Sequence, residues 1–210
     1  MNAKALLFNL EVVADRPKVG HGLSVGYIDH QAVGHDGAAM WYLEIAVRDQ
    51  KHQLVPRTGG QMAQQAGVPM RVVNAGVSGN TSAEGRARLA WTLQRETPDV
   101  FVVALGGNDG LRGQPVAELR ANLDAMLTMI ETAGARAVLA GIRIPPNYGP
   151  AYTEALAGVY TELAEIHDVP LLEFLLEGVA LNGELMQADG IHPNAEGQRV
   201  ILDNVWAVLD

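Results

Sequence analysis

The chain has 210 residues, 48% of them hydrophobic and 19% charged, which suits one compact α/β domain with a full core and leaves two domains cramped. A net charge of −9 argues against nucleic acid or an anionic membrane surface as the main partner, and the absence of cysteine excludes disulfides, thiolate catalysis and cysteine-ligated zinc. No apolar run reaches membrane-spanning length.

Met1 to Leu10 carries one lysine and a short apolar patch but no convincing cleavage site. This predicts a cytoplasmic protein, or a periplasmic or secreted one whose signal peptide has been removed. Ala5-Leu6-Leu7-Phe8 reads as a first strand, and Gly20-His21-Gly22-Leu23-Ser24-Val25-Gly26-Tyr27 as a loop too rich in glycine for a helix. Met40, Leu43 and Val47, widened by Trp41 and Ile45, have helical spacing within residues 38 to 50. Residues 51 to 68 read as an exposed connection. His21, His30 and His35 with Asp29 and Asp36 are metal-ligand types, but their spacing fits no metal motif, and a polar surface loop is the better reading.

From Met70 the pattern becomes regular. Arg71 to Ala75 is a short strand leading into Gly76 to Ser82, and a helix follows over 83–95 with Leu89 and Leu93 inward. Val100 to Leu105 is near-continuously apolar, as a parallel strand covered on both faces requires. The next loop, 106 to 113, precedes a helix that starts at Pro115, turns Leu119, Leu123, Met126, Leu127 and Ile130 to one side, and closes at Gly134. Ala137 to Ile144 is a buried strand stopped by Pro145-Pro146. Residues 151–167 form a helix with Tyr152, Leu156, Val159, Leu163 and Ile166 facing the core; Val169 to Phe174 is a last strand and Ala195 to Leu209 the closing helix. This alternation predicts a single three-layer αβα domain over residues 1–210, with a parallel five-stranded sheet.

In such a sheet the loops beyond the strands' carboxyl ends build the site. The loops at 20–27, 76–82 and 106–113 follow candidate strands, and Asp189-Gly190-Ile191-His192-Pro193 stands before the last helix. An aspartate three residues ahead of a histidine can orient the imidazole and steady the imidazolium. The Gly79 N–H and the Asn108 side-chain amide can converge as an oxyanion hole. Ser78 and Ser82 read as turn and helix-cap residues. Arg112 could meet a substrate anion or a surface carboxylate. Pro146 and Tyr148 could wall a substrate pocket or simply stiffen a loop. Met126 and Met129 read as core and interface filler.

Three of these stretches, Asn74 to Ser82, Gly106 to Gly113 and Asp189 to Pro193, resemble blocks of the SGNH (GDSL) hydrolases. The strings Pro145 to Gly149 and Met186 to Asp189 are similar to the bacterial thioesterase I, arylesterase and lysophospholipase branch. The resemblance runs from about Met70 to the C-terminus and implies a flavodoxin-like fold that hydrolyses esters or thioesters through an acyl-enzyme, without metal or cofactor. It implies His192 as general base, Asp189 as its orienting partner, and Gly79 and Asn108 as oxyanion donors. The expected partner is a small acyl or aryl ester or thioester. No stable membrane insertion is expected, and a homo-oligomer is left open.

The family's first block aligns with Gly20 to Tyr27 so that Gly22 falls where the serine belongs, leaving only its N–H for the oxyanion. A two-residue shift makes Ser24 the nucleophile, inside Gly22-Leu23-Ser24-Val25-Gly26, which also fits the G-x-S-x-G elbow. The alternative to a working esterase is a disabled relative that binds acyl or aryl ligands without hydrolysis.

Overall fold

The computed structural model describes residues 10–15, 26–27, 32–33, 39–40, 45–46, 71–77, 79–188 and 193–209. Strand β1 spans Leu10–Asp15, and four two-residue strands follow: β2 Gly26–Tyr27, β3 Ala32–Val33, β4 Ala39–Met40 and β5 Ile45–Ala46. After β6, Arg71–Asn74, helices and strands alternate: α1 Ser82–Glu96, β7 Val100–Ala104, α2 Gly107–Leu111, α3 Val116–Thr132 and β8 Arg136–Ala140. The chain ends with α4 Pro150–His167, β9 Leu171–Leu172 and α5 Ala195–Leu209.

The five-stranded sheet has the order β6-β1-β7-β8-β9. Strands β7, β8 and β9 are parallel, and from its second residue β7 is wholly buried, as its apolar run requires. The α/β expectation holds. One strand departs from it: β1 runs antiparallel to both β6 and β7, pairing Asp15 with Arg71 and Ala14 with Val100. The chain therefore enters β1 beside the end of β7, where Leu10 faces Ala104, and leaves it beside the start of β7. The expected first strand at Ala5 to Phe8, and the connection at 51–68, lie outside the described residues.

A helix over 38–50 is not what forms. Ala39–Met40 pairs with Ala32–Val33, and Ile45–Ala46 pairs with Gly26–Tyr27, so the expected 20–27 loop ends in a strand. Trp41, Leu43, Ile45 and Val47 recur at every second position, a spacing that fits a strand as well as the helical spacing fits a helix. Other boundaries move for local reasons. Strand β8 ends at Ala140, and Gly141 then lies against the residue just after β9, where an added Cβ would stand 2.3 Å from the Glu173 carbonyl oxygen. Strand β9 is two residues long instead of six.

Leu119, Leu123, Met126, Leu127 and Ile130 of α3 are buried, Met129 half-buried. On α4 the buried stripe is Leu156, Val159, Tyr160, Leu163 and Ala164, whereas Ile166 is 56% exposed. The stripe instead continues to His167, whose Nε2 meets Asp124 Oδ1 of α3 at 2.7 Å. No helix among the described residues is long and apolar enough to cross a membrane.

Candidate active site

Loop 106–113, expected as irregular, contains the short helix α2, and its entry is dictated by packing. Gly106 has φ +121°, and a Cβ there would lie 2.1 Å from the Tyr160 hydroxyl. That hydroxyl donates to the Leu105 carbonyl at 2.7 Å from a fully buried position. Only glycine permits this approach of α4 to the end of β7. Burial, and then the neighbouring Asp109 carboxylate, push the Tyr160 phenol well above its ordinary range. Gly110 is similarly confined, its absent side chain's place taken by Ile144 and Leu156. The turn thus delivers Asn108 and Asp109, both buried, to a fixed place.

Asn108 Nδ2 donates to the Asn80 carbonyl at 2.8 Å. A side-chain amide carries two N–H groups, so one bond to Asn80 leaves a second hydrogen to give. Asp109 accepts from the Ser82 N–H at 2.9 Å and from the Ser82 hydroxyl at 2.5 Å. Asn122 Nδ2, on α3, donates to that same hydroxyl at 3.0 Å. The two loops expected to converge are therefore hydrogen-bonded together through adjacent residues of α2.

Gly79 sits at φ +78° with open space where a side chain would be. Its carbonyl accepts from Arg112 Nη2 at 2.9 Å. Arg112 was expected to meet a substrate anion or a surface carboxylate; its guanidinium instead braces the Gly79 backbone, with Glu84 close enough to feel its charge. Arg88 holds the Asn80 side chain through Nε at 3.0 Å and also donates to the Ala75 carbonyl. Helix α1 begins directly behind. Thr81, not Ser82, is its N-cap, with Glu84 Oε2 accepting from the Thr81 N–H at 2.7 Å and hydroxyl at 2.9 Å. These bonds hold the Glu84 carboxyl below its usual range, helped less by the Arg112 charge.

Pro146 opens a 3₁₀ turn, Pro146–Tyr148, and is itself exposed. Tyr148 and Tyr152 lie with ring centroids 6.4 Å apart, and their hydroxyls donate to the carbonyls of Leu111 (2.9 Å) and Gln114 (2.7 Å). Both rings thereby tie down the C-terminal side of the Asn108 loop. Burial raises the Tyr152 phenol above its usual range, with smaller contributions from Asp109 and Tyr148.

Gly79 and Asn108 are brought together through Asn80. Gly22, Ser24, Ser78, Asp189 and His192 lie outside the described residues, as do His21, His30, His35, Asp29 and Asp36. Pro193, immediately after His192, is described: it bridges to Met186, and its carbonyl accepts from Gln187 Nε2 at 3.1 Å. The Asn194 side chain caps α5, accepting from the N–H groups of Glu196 and Gly197, each at 3.0 Å. Among the described residues no cluster of three or more His, Cys, Asp or Glu could hold a metal ion. Sequence reasoning missed Asp109, Asn122 and Arg88. Asp109 carried a hint, being acidic at the end of a buried strand; Asn122, 40 residues from Ser82, carried none.

The GDSL-like Lipase/Acylhydrolase family matches residues 38–200. The chain is 49% identical over 143 residues to Esterase TesA of Pseudomonas aeruginosa, covering 68% of this chain and 71% of that one. It is 46% identical over 132 residues to the Thioesterase 1/protease 1/lysophospholipase L1 of Escherichia coli, covering 63% and 64%. A crystal structure of TesA superposes with a TM-score of 0.69 at 47% identity, covering 71% of this chain and 83% of that chain. This chain belongs to the GDSL-like lipase/acylhydrolase family and is a carboxylic ester hydrolase.

Proposed function

We propose that the protein cleaves acyl or aryl esters or thioesters through a covalent acyl-enzyme, using one domain spanning residues 1–210. Ser24 Oγ attacks the substrate carbonyl carbon as His192 takes its proton, with Asp189 orienting the imidazole. The oxyanion accepts hydrogen bonds from the Gly79 N–H, the free Asn108 Nδ2–H and the Gly22 N–H. His192 then returns the proton to the departing alkoxide or thiolate, and water, deprotonated by the same histidine, releases the acid.

The observation that carries this reading is the Asn108 amide. It is buried, anchored through one N–H to Asn80 at 2.8 Å, and holds a second N–H in reserve beside a glycine in the left-handed region. Pre-set donors of this kind cost no reorganisation during reaction. Pro146 and Tyr148, next to that loop, are proposed to line the acyl or aryl side of the site.

A second reading has its own support: a disabled member that retains the ligand site. Gly22 occupies the serine position in the family register, and β1 leaves the sheet at the edge opposite the one to which β6 and β7 deliver their loops. Intact-mass measurement after treatment with a fluorophosphonate separates the two. An adduct on the parent that disappears in Ser24→Ala makes Ser24 the nucleophile. No adduct on the parent, with one gained by Gly22→Ser, makes the parent a binder built on intact machinery.

A further inference from the structure

We propose that Asp109 is a positioning residue, which together with Ser82 and Asn122 sets the orientation of the Asn108 amide and the Gly79 loop for transition-state binding. The inference rests on the oxyanion role proposed for Asn108 and Gly79, and deepens it.

A helix of five residues has too few internal hydrogen bonds to fix its own direction. Packing around Gly106 and Gly110 sets where α2 stands, but one bond to the Asn80 carbonyl would leave the Asn108 amide dependent on a loop free to shift about that contact. The second tie comes from the next residue: both Asp109 oxygens are engaged by Ser82, two positions beyond Asn80. Two ties, from adjacent residues to positions two apart, fix the plane of the Asn108 amide and therefore the direction of its remaining N–H.

The chain of donors behind this pair runs one way. Arg86 Nη1 donates to Asn122 Oδ1 at 3.3 Å, Asn122 Nδ2 to the Ser82 hydroxyl at 3.0 Å, and the Ser82 hydroxyl to Asp109 at 2.5 Å. Every dipole points towards the carboxylate, which is 2% exposed, while Ser82 is fully buried. Because α3 supplies Asn122, the clamp joins three helices at the Asn108 turn. A carboxylate is costlier to bury than an apolar contact of equal size, so its return lies in direction and not in net stability.

The test uses the full chain with p-nitrophenyl acetate as the probe ester, measuring kcat and KM separately. Side-chain and backbone amide exchange at Asn108 and Gly79 is followed by NMR. Asp109→Asn replaces an acceptor with a donor facing the Ser82 hydrogens. It is expected to lower kcat by about 10- to 100-fold, as a misaligned donor does, with KM changed less than about twofold. Exchange of the Asn108 and Gly79 amides should accelerate. Asn122→Ala, at a half-buried position that tolerates truncation, should move kcat and exchange in the same direction by a smaller factor. His167→Ala, at the C-terminal end of α4 where it meets Asp124 of α3, should lower Tm and leave kcat alone.

Unchanged kcat and unchanged exchange in Asp109→Asn would overturn the clamp while hydrolysis stands. A parent with no turnover, in which Asp109→Asn still frees the two amides, would keep the clamp and sink the hydrolytic reading. Equal losses of kcat in His167→Ala and Asp109→Asn at matched Tm would reduce Asp109 to a stability role and overturn the proposal.

Discussion

The two loops that meet at Asn108 and Asn80 are held by opposite means. The β7–α2 turn is locked by contact: Gly106 against the Tyr160 hydroxyl, Gly110 against Ile144 and Leu156, with residues 101 to 110 all buried. The 75–80 loop is half-buried to exposed where described, and it is tied through its carbonyls and the Asn80 side chain by Arg88, Arg112 and Asn108. A packed turn resists displacement in every direction, whereas a loop hung on hydrogen bonds can be adjusted one bond at a time. Damage to the first should therefore appear as lost stability, and damage to the second as lost rate in a folded protein.

Asn108 stands on the packed side and reaches across to the other, so its removal is the strongest break. Asn108→Ala should lower kcat for p-nitrophenyl acetate by about 100- to 1000-fold, the usual cost of one oxyanion donor, with KM little changed. A variant retaining more than a tenth of the parent kcat would remove Asn108 from the oxyanion role. Gly106→Ala tests the packed turn itself. Its Cβ would collide with the Tyr160 hydroxyl at a φ of +121°, and overpacking plus backbone strain should cost about 3 kcal/mol by denaturant unfolding.

Tyr160→Phe leaves the buried Leu105 carbonyl without its donor, an expected loss of about 1–2 kcal/mol at neutral pH. Its pH signature is more specific. The folded phenol titrates well above its ordinary value of 10.0, so above that pH the unfolded chain gives up this proton first and parent stability falls as pH rises. Below it the group contributes no slope. Tyr160→Phe should flatten this alkaline limb, and an unchanged slope would mean that Tyr160 titrates normally when folded.

Legibility in the sequence follows the same division. Strands covered on both faces show as apolar runs, and β7 and β8 are visible in Val100 to Leu105 and Ala137 to Ile144 because helices pack on them. Helices α1, α3, α4 and α5 announce themselves by stripes such as Leu119, Leu123, Met126 and Ile130. Asn108 and Gly79 were legible as a pair only through their motifs. What the sequence hid was pairing between distant residues: Ser82 with Asp109, Asn122 with Ser82, Arg88 with Ala75. Each is a hydrogen bond between segments that no local period connects. The direction of β1 was hidden for a related reason. A short strand pairs in either sense, and the sense is decided by partners 56 to 94 residues away, as the pairs Asp15–Arg71 and Leu10–Ala104 with Ala14–Val100 between them illustrate.

The smallest predicted effect lies where the polar loop joins α1. Glu84 accepts from the Thr81 N–H and hydroxyl, and these bonds, more than the Arg112 charge, depress its carboxyl below its ordinary value of 4.5. A carboxyl depressed in the folded state stabilises the protein fully above its unfolded pKa, and that contribution is lost as pH falls through the folded value. The stability difference between the parent and Glu84→Gln should therefore be constant at neutral pH and shrink below about pH 4.5. Because hydrogen bonds outweigh the Arg112 charge, added salt should leave most of the difference in place. If instead salt abolished it, the capping box would be secondary to the ion pair, and Arg112 would hold Glu84 as well as the Gly79 carbonyl. Arg112→Gln distinguishes these cases directly. It removes the brace from Gly79, so a modest fall in kcat with the pH dependence of Glu84 nearly intact is the result consistent with a loop held bond by bond.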